Sequence, residues 1–488
     1  MGWDAIDLAV LVAYLGGVVA LGLWVGRRQS SLDDYLLGAR TLPWWAICGS
    51  IVATETSTAS FLSLPGRTYV EGGDMRLMQL AIGYVIGRVL VSTALLPGYF
   101  RGRLVSAYEL LGTRFGGSTR KLASATFLVT RTLGDGLRLF LAALALEVGT
   151  GFAFEYAVLA VGGATALYTV FGGMRSIVWN DCVQLAIYVI GGIGLCALAV
   201  GQLPGGWGEL MEFGRSTGRF EVFDPSFDLS DPYTLWAGVL GGIFLTLGVH
   251  GTDQMLVQRY LSARDVHAAG RAVVVSGVIV ALQFALFLLL GVALAADAVH
   301  APLDGAVAGD AAVTSFVVQR LPSGYGLLGI LVAAVLAASM STLSSSLNSS
   351  ASSVYQDWLA PRFVRLREPA VGLLCTRALT LLFAALQITV AWAARGVSSS
   401  VVTEVLAVAG FSAGLLLGLF GLAHLVPRAR ARDAGVGFAL GLTVLLGLHL
   451  GPGVELAWTW LPLVGAVVVV VSGACTSYLN RTPRESNV

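Results

Sequence analysis

Apolar residues along this chain come in long blocks rather than in the alternating or one-faced patterns of a water-soluble core. Thirteen blocks reach or approach the roughly 20 residues that cross a bilayer: about 4–26, 42–65, 75–99, 121–148, 152–171, 177–202, 233–256, 270–296, 325–357, 370–394, 398–425, 434–451 and 455–479. In hydrocarbon a helix satisfies its own backbone, so the pattern predicts an all-α polytopic membrane protein. The first block is long enough to span and lacks a small-residue cleavage site, which reads as a retained helix rather than a signal peptide. The longest connections are about 203–232 and 297–324, and about ten residues follow Tyr478, so no soluble domain is expected.

Composition agrees. The chain is 56% hydrophobic and 12% charged, with mean hydropathy +0.79, far from the roughly 25% charged of a soluble domain. A net charge of +1 gives no sign of a nucleic-acid partner. Of the 30 basic residues, 20 fall in alternate loops (Arg27 to Arg40, Arg101 to Lys121, Arg175, Arg259 to Arg271, Arg362 to Arg367, Arg428 to Arg432, Arg481 and Arg484). Six fall in the opposite loops (Arg67, Arg76, Arg215, Arg219, Arg320 and Arg395). The richer side is expected to be cytoplasmic, with the N-terminus out and the C-terminus in. Cys48, Cys182, Cys196, Cys375 and Cys475 lie in or beside apolar blocks without metal-ligand spacing and read as small buried hydrophobes.

Polar residues inside the apolar blocks carry the chemistry. With the first helix set aside, the next ten blocks split into two fives, and the opening member of each is interrupted. Block 42–65 holds Thr54, Glu55, Thr56, Ser57 and Thr58, then Pro65 and Gly66; block 233–256 holds Gly248, His250, Gly251, Thr252, Asp253 and Gln254. Interrupted helices at matching places in two halves point to an inverted-repeat secondary transporter with its sites near the bilayer midplane. The expected division is an extra N-terminal helix and loop (1–40), a first five-helix repeat (41–202), a second repeat with outer loops (203–425), and two C-terminal helices with a short tail (426–488). Glu55 and Asp253 are costly at membrane depth, which makes them functional candidates, although either could simply pair with an arginine at a helix end. The run AASMSTLSSSLNSSASS at 337–353 continues an apolar helix. Ala338, Ser341, Thr342, Ser345 and Ser349 share one of its faces. Their oxygens suit a small hard cation, and small hydroxyl residues also suit plain helix packing.

The segment YTVFGGMRSIVWND at 168–181 resembles the signature of the sodium:solute symporter family. ETSTASFLSLPG at 55–66, HGTDQMLVQRYL at 250–261 and the serine run are similar in kind, and together they extend over about residues 30–430. The resemblance implies a leucine-transporter-like five-plus-five inverted repeat with flanking helices, and sodium-coupled import of a small polar solute. It implies a sodium site made by the main-chain carbonyls of Ala53, Thr56 and Ala338 with the hydroxyls of Ser341 and Thr342. Some members bind a second sodium, for which Asp181, Ser341, Ser344 and Ser345 are the matching residues. For the solute it implies Glu55, Ser57, Ser60, Gln79, Arg131, Asp135, Arg138, His250 and Thr252. Relative to sialic acid transporters, Glu55 replaces a hydroxyl residue, and the carboxylate-binding arginine falls at Gly134, flanked by Arg131 and Arg138. Asp135 lies at i+4 from Arg131 and i−3 from Arg138, so these three could equally form an intrahelical salt bridge.

The expected activity is therefore sodium-coupled symport of a sugar, polyol or carboxylate by alternating access, with no cofactor, in a monomeric transport unit of the plasma (inner) membrane. Proton coupling through Glu55 or Asp181 is the nearest rival. A polytopic enzyme fits less well, because His250, His267, His300, His424 and His449 are scattered and form no catalytic motif. A sensor would need a signalling domain after residue 480.

Overall fold

The computed structural model describes residues 4–27, 29, 31–56, 58–102, 104–303, 309–320, 324–396, 399–451, 453 and 455–479, with backbone alone at 58–59, 148–149 and 399–409. Helix is the regular structure throughout these residues, apart from one isolated bridge between Leu42 and Ala263. Nine helices among the described residues are long and apolar enough to cross a membrane. Their starts carry ordinary helix signals. Asp4 and Asp7 form a capping box on Ala5–Gly26, the Thr234 hydroxyl caps Leu235–Thr252, and Asp265 caps Val266–His300.

Both interrupted blocks are broken helices. Trp44–Glu55 stops at Thr56, whose backbone is extended (φ −80°, ψ 111°), and the chain resumes as Thr58–Tyr69. Leu235–Thr252 stops at Asp253, also extended (φ −81°, ψ 126°), and resumes as Gln254–Leu261. Blocks 152–171 and 177–202 form one helical run, Phe154–Gln202, bent at Gly173 (φ 50°, ψ −158°). A β-carbon there would meet the Tyr35 carbonyl at 2.6 Å, so both the backbone angle and the close approach call for glycine. The connection at 203–232 contains its own helix, Gly206–Ser216.

Burial is inverted relative to a soluble protein. Trp24, Ile190, Leu282 and Leu374 are each about two-thirds exposed on the outside, as a lipid-facing surface requires. The most apolar window of Leu327–Leu359 is 83% buried, against 22% for Ala5–Gly26. The serine-rich helix therefore runs through the middle of the bundle, and its hydroxyls face protein on all sides. Met78–Leu90 and Leu235–Thr252 pack backbone to backbone; a β-carbon on Gly83 would stand 2.4 Å from the Val239 carbonyl.

Candidate functional site

The first helix break meets the serine-rich helix through hydroxyl-to-carbonyl contacts. Ser341 Oγ donates to the Ala53 carbonyl (2.8 Å) and to the Ala338 carbonyl (3.0 Å). Thr342 Oγ1 donates to the Thr54 carbonyl (2.9 Å) and lies 3.4 Å from the Ala338 carbonyl. Four of the five expected sodium ligands thus converge, and the Thr54 carbonyl joins them. The expected fifth ligand is the Thr56 carbonyl at the break, while the Thr56 hydroxyl bonds to Val52 and Gln283 (3.1 Å each). All these oxygens are neutral. They can replace the water of a monovalent cation without fixing it as a bound anion would.

Asp181, the residue matched to a second sodium site, is fully buried. Its Oδ2 accepts from Ser50 Oγ (2.5 Å) and from Arg259 (3.2 Å), while Oδ1 has no hydrogen-bond partner. Arg259 also donates to Thr54 Oγ1 (2.5 Å) and to Ser345 Oγ. Ser344 and Ser345 return their own protons to the Ser341 carbonyl (3.1 and 2.7 Å). In the sequence Arg259 counts among the loop cations. The structure instead buries it in Gln254–Leu261, at 1% exposure, which removes one charge from the cytoplasmic tally.

Beside this oxygen cluster lies a cavity of about 320 Å³ lined by Thr54, Glu55, Ser60, Tyr84, Arg131, Arg138, Thr246, His250, Thr342 and apolar side chains. A second chamber of about 150 Å³ shares Arg131, Arg138, Leu245 and Val249 with it and adds Asp253, Gly134 and Ser412. Charges in these walls are paired. Glu55 Oε2 is held by the buried Arg88, and Glu55 Oε1 lies 2.8 Å from His250 Nε2. His250 Nδ1 lies 2.7 Å from the Tyr260 hydroxyl. A neutral imidazole protonated on Nε2 satisfies both contacts, donating to the carboxylate and accepting from the phenol. Arg131 holds Asp253 Oδ2 through Nε (3.1 Å) and a terminal nitrogen (2.5 Å), and Asp253 Oδ1 caps the next helix at the Met255 amide (2.8 Å). Arg138 pairs with Asp135, while Arg131 stands 3.9 Å from it. The intrahelical pair is thus formed, and Arg131 turns mainly across to the second helix break.

Two expected solute residues, Gln79 and Thr252, are engaged away from the cavity. Gln79 is buried under the long connection, its amide donating to the Tyr233 carbonyl (2.7 Å) and its oxygen accepting from Asp224 N (3.2 Å). Thr252 returns its hydroxyl to Gly248 within its own helix (2.7 Å). Ser57 lies outside the described residues. Under the same connection, Arg76 clamps Asp74 (2.6 Å), Asp224 (2.7 Å) and Asp231 (3.1 Å), and Arg67 stacks on the Tyr233 ring. The Ser226 hydroxyl and amide, with Arg76, hold the Asp224 carboxyl below its ordinary value.

Sequence reasoning passed over Arg88, Arg259, Ser50, Tyr84 and Tyr260. Arg88 carried a usable signal, since an arginine in the middle of an apolar block is itself a functional candidate.

Broken helices flanking a buried hydroxyl face and a charge-lined cavity define a polytopic secondary transporter. The family model described as the sodium:solute symporter family matches residues 35–441, and this chain belongs to that family. It is 28% identical to the human sodium/iodide cotransporter over 486 residues, covering 96% of this chain and 74% of that protein. It is 27% identical to sodium-coupled monocarboxylate transporter 2 of Bos taurus over 453 residues, covering 92% and 72%. The fold matches a sodium-coupled sialic acid symporter solved in a substrate-bound outward-open state, with TM-score 0.89, 24% identity and 98% of both chains covered. A nucleobase-cation-symport-1 family transporter in a closed conformation follows at TM-score 0.59 and 15% identity, covering 91% of this chain and 94% of that one.

Proposed function

We propose that the chain couples sodium entry to uptake of a small polar organic solute (a sugar, polyol or carboxylate) by alternating access across the plasma membrane. The reading takes thirteen spans with the N-terminus out and the C-terminus in, built as two inverted five-helix repeats with flanking helices and working as a monomeric transport unit. The observation that carries it is the meeting of Ser341 and Thr342 with the carbonyls of Ala53 and Thr54. Sodium sits among these oxygens and the Ala338 carbonyl, and the two hydroxyls rotate their protons off the carbonyls to present lone pairs to the ion. Thr56 closes the shell through its own carbonyl at the break.

The solute occupies the cavity between Glu55, Ser60 and His250 on one side and Arg131 and Arg138 on the other. Hydroxyl groups suit the spare lone pairs of Glu55, and a carboxylate suits Arg138, which is partly exposed beside Asp135. The iodide and monocarboxylate relatives support an anionic group among the acceptable solutes. Proton coupling would need a carboxylate that loads and unloads a proton freely, and Glu55 is held from both sides by Arg88 and His250.

The test is uptake into proteoliposomes in sodium against choline buffer, over a panel of sugars, polyols and carboxylates. Concentrative, sodium-driven uptake of at least one solute is expected. Ser341→Ala should raise the sodium concentration for half-maximal uptake, and Ser341→Ala/Thr342→Ala should abolish accumulation. Unchanged sodium dependence in the double variant would return this helix face to a packing role.

A further inference from the structure

We propose that Arg259 is a tethered cation that shares one oxygen set with a second sodium ion, the guanidinium and the ion holding Asp181 and Ser345 in alternation. The inference rests on the sodium reading above and concerns how the second site is controlled. Arg259 is 1% exposed and Asp181 is fully buried. The guanidinium reaches four elements at once. It donates to Ser50 Oγ (2.8 Å) and Thr54 Oγ1 (2.5 Å) on the first broken helix, to Asp181 (3.2 Å), to Ser345 Oγ, and to its own helix at the Met255 carbonyl (2.7 Å).

Two observations make this a shared site rather than a fixed ion pair. First, Asp181 Oδ1 is buried without a hydrogen-bond partner. A carboxylate oxygen left bare in a desolvated pocket is an acceptor for a further ligand. Second, the charges balance one to one. A sodium ion added while Arg259 stays in place would set two cations against a single carboxylate, out of reach of water, where repulsion is weakly screened. Sodium therefore enters on Asp181 Oδ1 and displaces Arg259 from Ser345 and Oδ2. The displaced guanidinium keeps Ser50 and the Met255 carbonyl, so its withdrawal does not strand it. When the ion leaves, Arg259 returns and Asp181 is not left as a bare buried charge during the return of the carrier. Because Arg259 lies six residues beyond the Asp253 break, its position reports the state of the second broken helix to the serine-rich helix.

Binding of radioactive sodium to the purified full-length protein tests the idea. Arg259→Gln keeps hydrogen-bond donors and removes the competing charge. It should tighten the weaker sodium-binding phase roughly tenfold or more, the worth of a charge-assisted contact, and adding Asp181→Asn should cancel that gain. A guanidinium with a purely structural role would give weaker binding or none, and unchanged or weakened sodium affinity in folded Arg259→Gln overturns the proposal. Should that variant fail to fold, structures of the parent in saturating sodium and in choline decide. Ion density at Asp181 and Ser345 with the guanidinium withdrawn supports alternation. An ion there beside an unmoved guanidinium, or an unmoved guanidinium and no ion, overturns it. The Thr342→Ala variant separates the two readings, because Thr342 belongs to the first oxygen set alone: parent-like sodium binding there defeats the first sodium site, whatever Arg259 does.

Discussion

Glu55 shows how far single residues carry meaning before a structure exists. A carboxylate in an apolar block must have a partner, and that much is legible from the sequence. The partner's identity is not, because Arg88 lies 33 positions away on another helix and His250 lies 195 away. Asp181 and Arg259 repeat the lesson across 78 positions. The hydroxyls of Ser341 and Thr342 were easier to read, since a helical repeat places them on one face without any tertiary information. The Glu55–Arg88 pair makes a direct prediction. Arg88 is completely buried, and removing one member of a buried pair leaves an uncompensated charge at a cost of about 3–5 kcal/mol. Glu55→Gln should therefore lower the thermal unfolding midpoint of the detergent-solubilised protein as well as solute affinity. Glu55→Gln/Arg88→Met should recover much of the midpoint while leaving solute affinity low. A double variant no more stable than Glu55→Gln would show that the pair is not the stabilising unit.

At the scale of elements, breaks were more legible than packing. Clusters of Gly, Thr and acidic residues marked both interrupted helices, and the extended residues Thr56 and Asp253 fall inside those clusters. The bend at Gly173 separated two apolar blocks in the sequence, yet the backbone stays helical on both sides of it. Beyond the helix Gly206–Ser216, the connection between Phe154–Gln202 and Leu235–Thr252 is held by long-range ion pairs, which leave no periodic signal in the sequence. Arg76 ties this connection down through Asp224 and Asp231, and Arg219 donates to the carbonyls of Thr68 and Val70 (2.6 Å each) at the end of Thr58–Tyr69. Asp224 is held below its ordinary value of 3.8 by Ser226 and then Arg76. A depressed folded-state value means that its contribution is present above pH 3.8 and is lost as the pH falls below it. Acidification through that range should lower the protection factors of backbone amides at 224–235, measured against the intrinsic exchange rate at each pH, before it affects those of the membrane helices. Arg76→Gln should produce the same loosening at neutral pH. Exchange in this segment that ignores both changes would exclude the clamp.

For the whole molecule, three consecutive residues of the first break contact five side chains on four other helices. The Ala53 carbonyl meets Ser341, Thr54 meets Thr342 through its carbonyl and Arg259 through its hydroxyl, and Glu55 meets Arg88 and His250. An ion seated on the first two carbonyls therefore sets the position of the third residue, which lines the solute cavity. Coupling is then local. In the proposed cycle, sodium at these carbonyls fixes the break, the break presents Glu55, and the solute closes against the wall so ordered. Linkage demands that the effect be mutual: sodium must tighten solute binding by the same factor by which solute tightens sodium binding. For the purified protein, calorimetry should give a coupling of roughly 5- to 150-fold, the usual range for two linked sites. Ser341→Ala should shrink both factors together, although Ser341 does not line the cavity. Solute affinity independent of sodium, in protein that still binds both, would mean that the Ala53–Glu55 segment does not transmit the ion's presence, and coupling would have to run through the second broken helix instead.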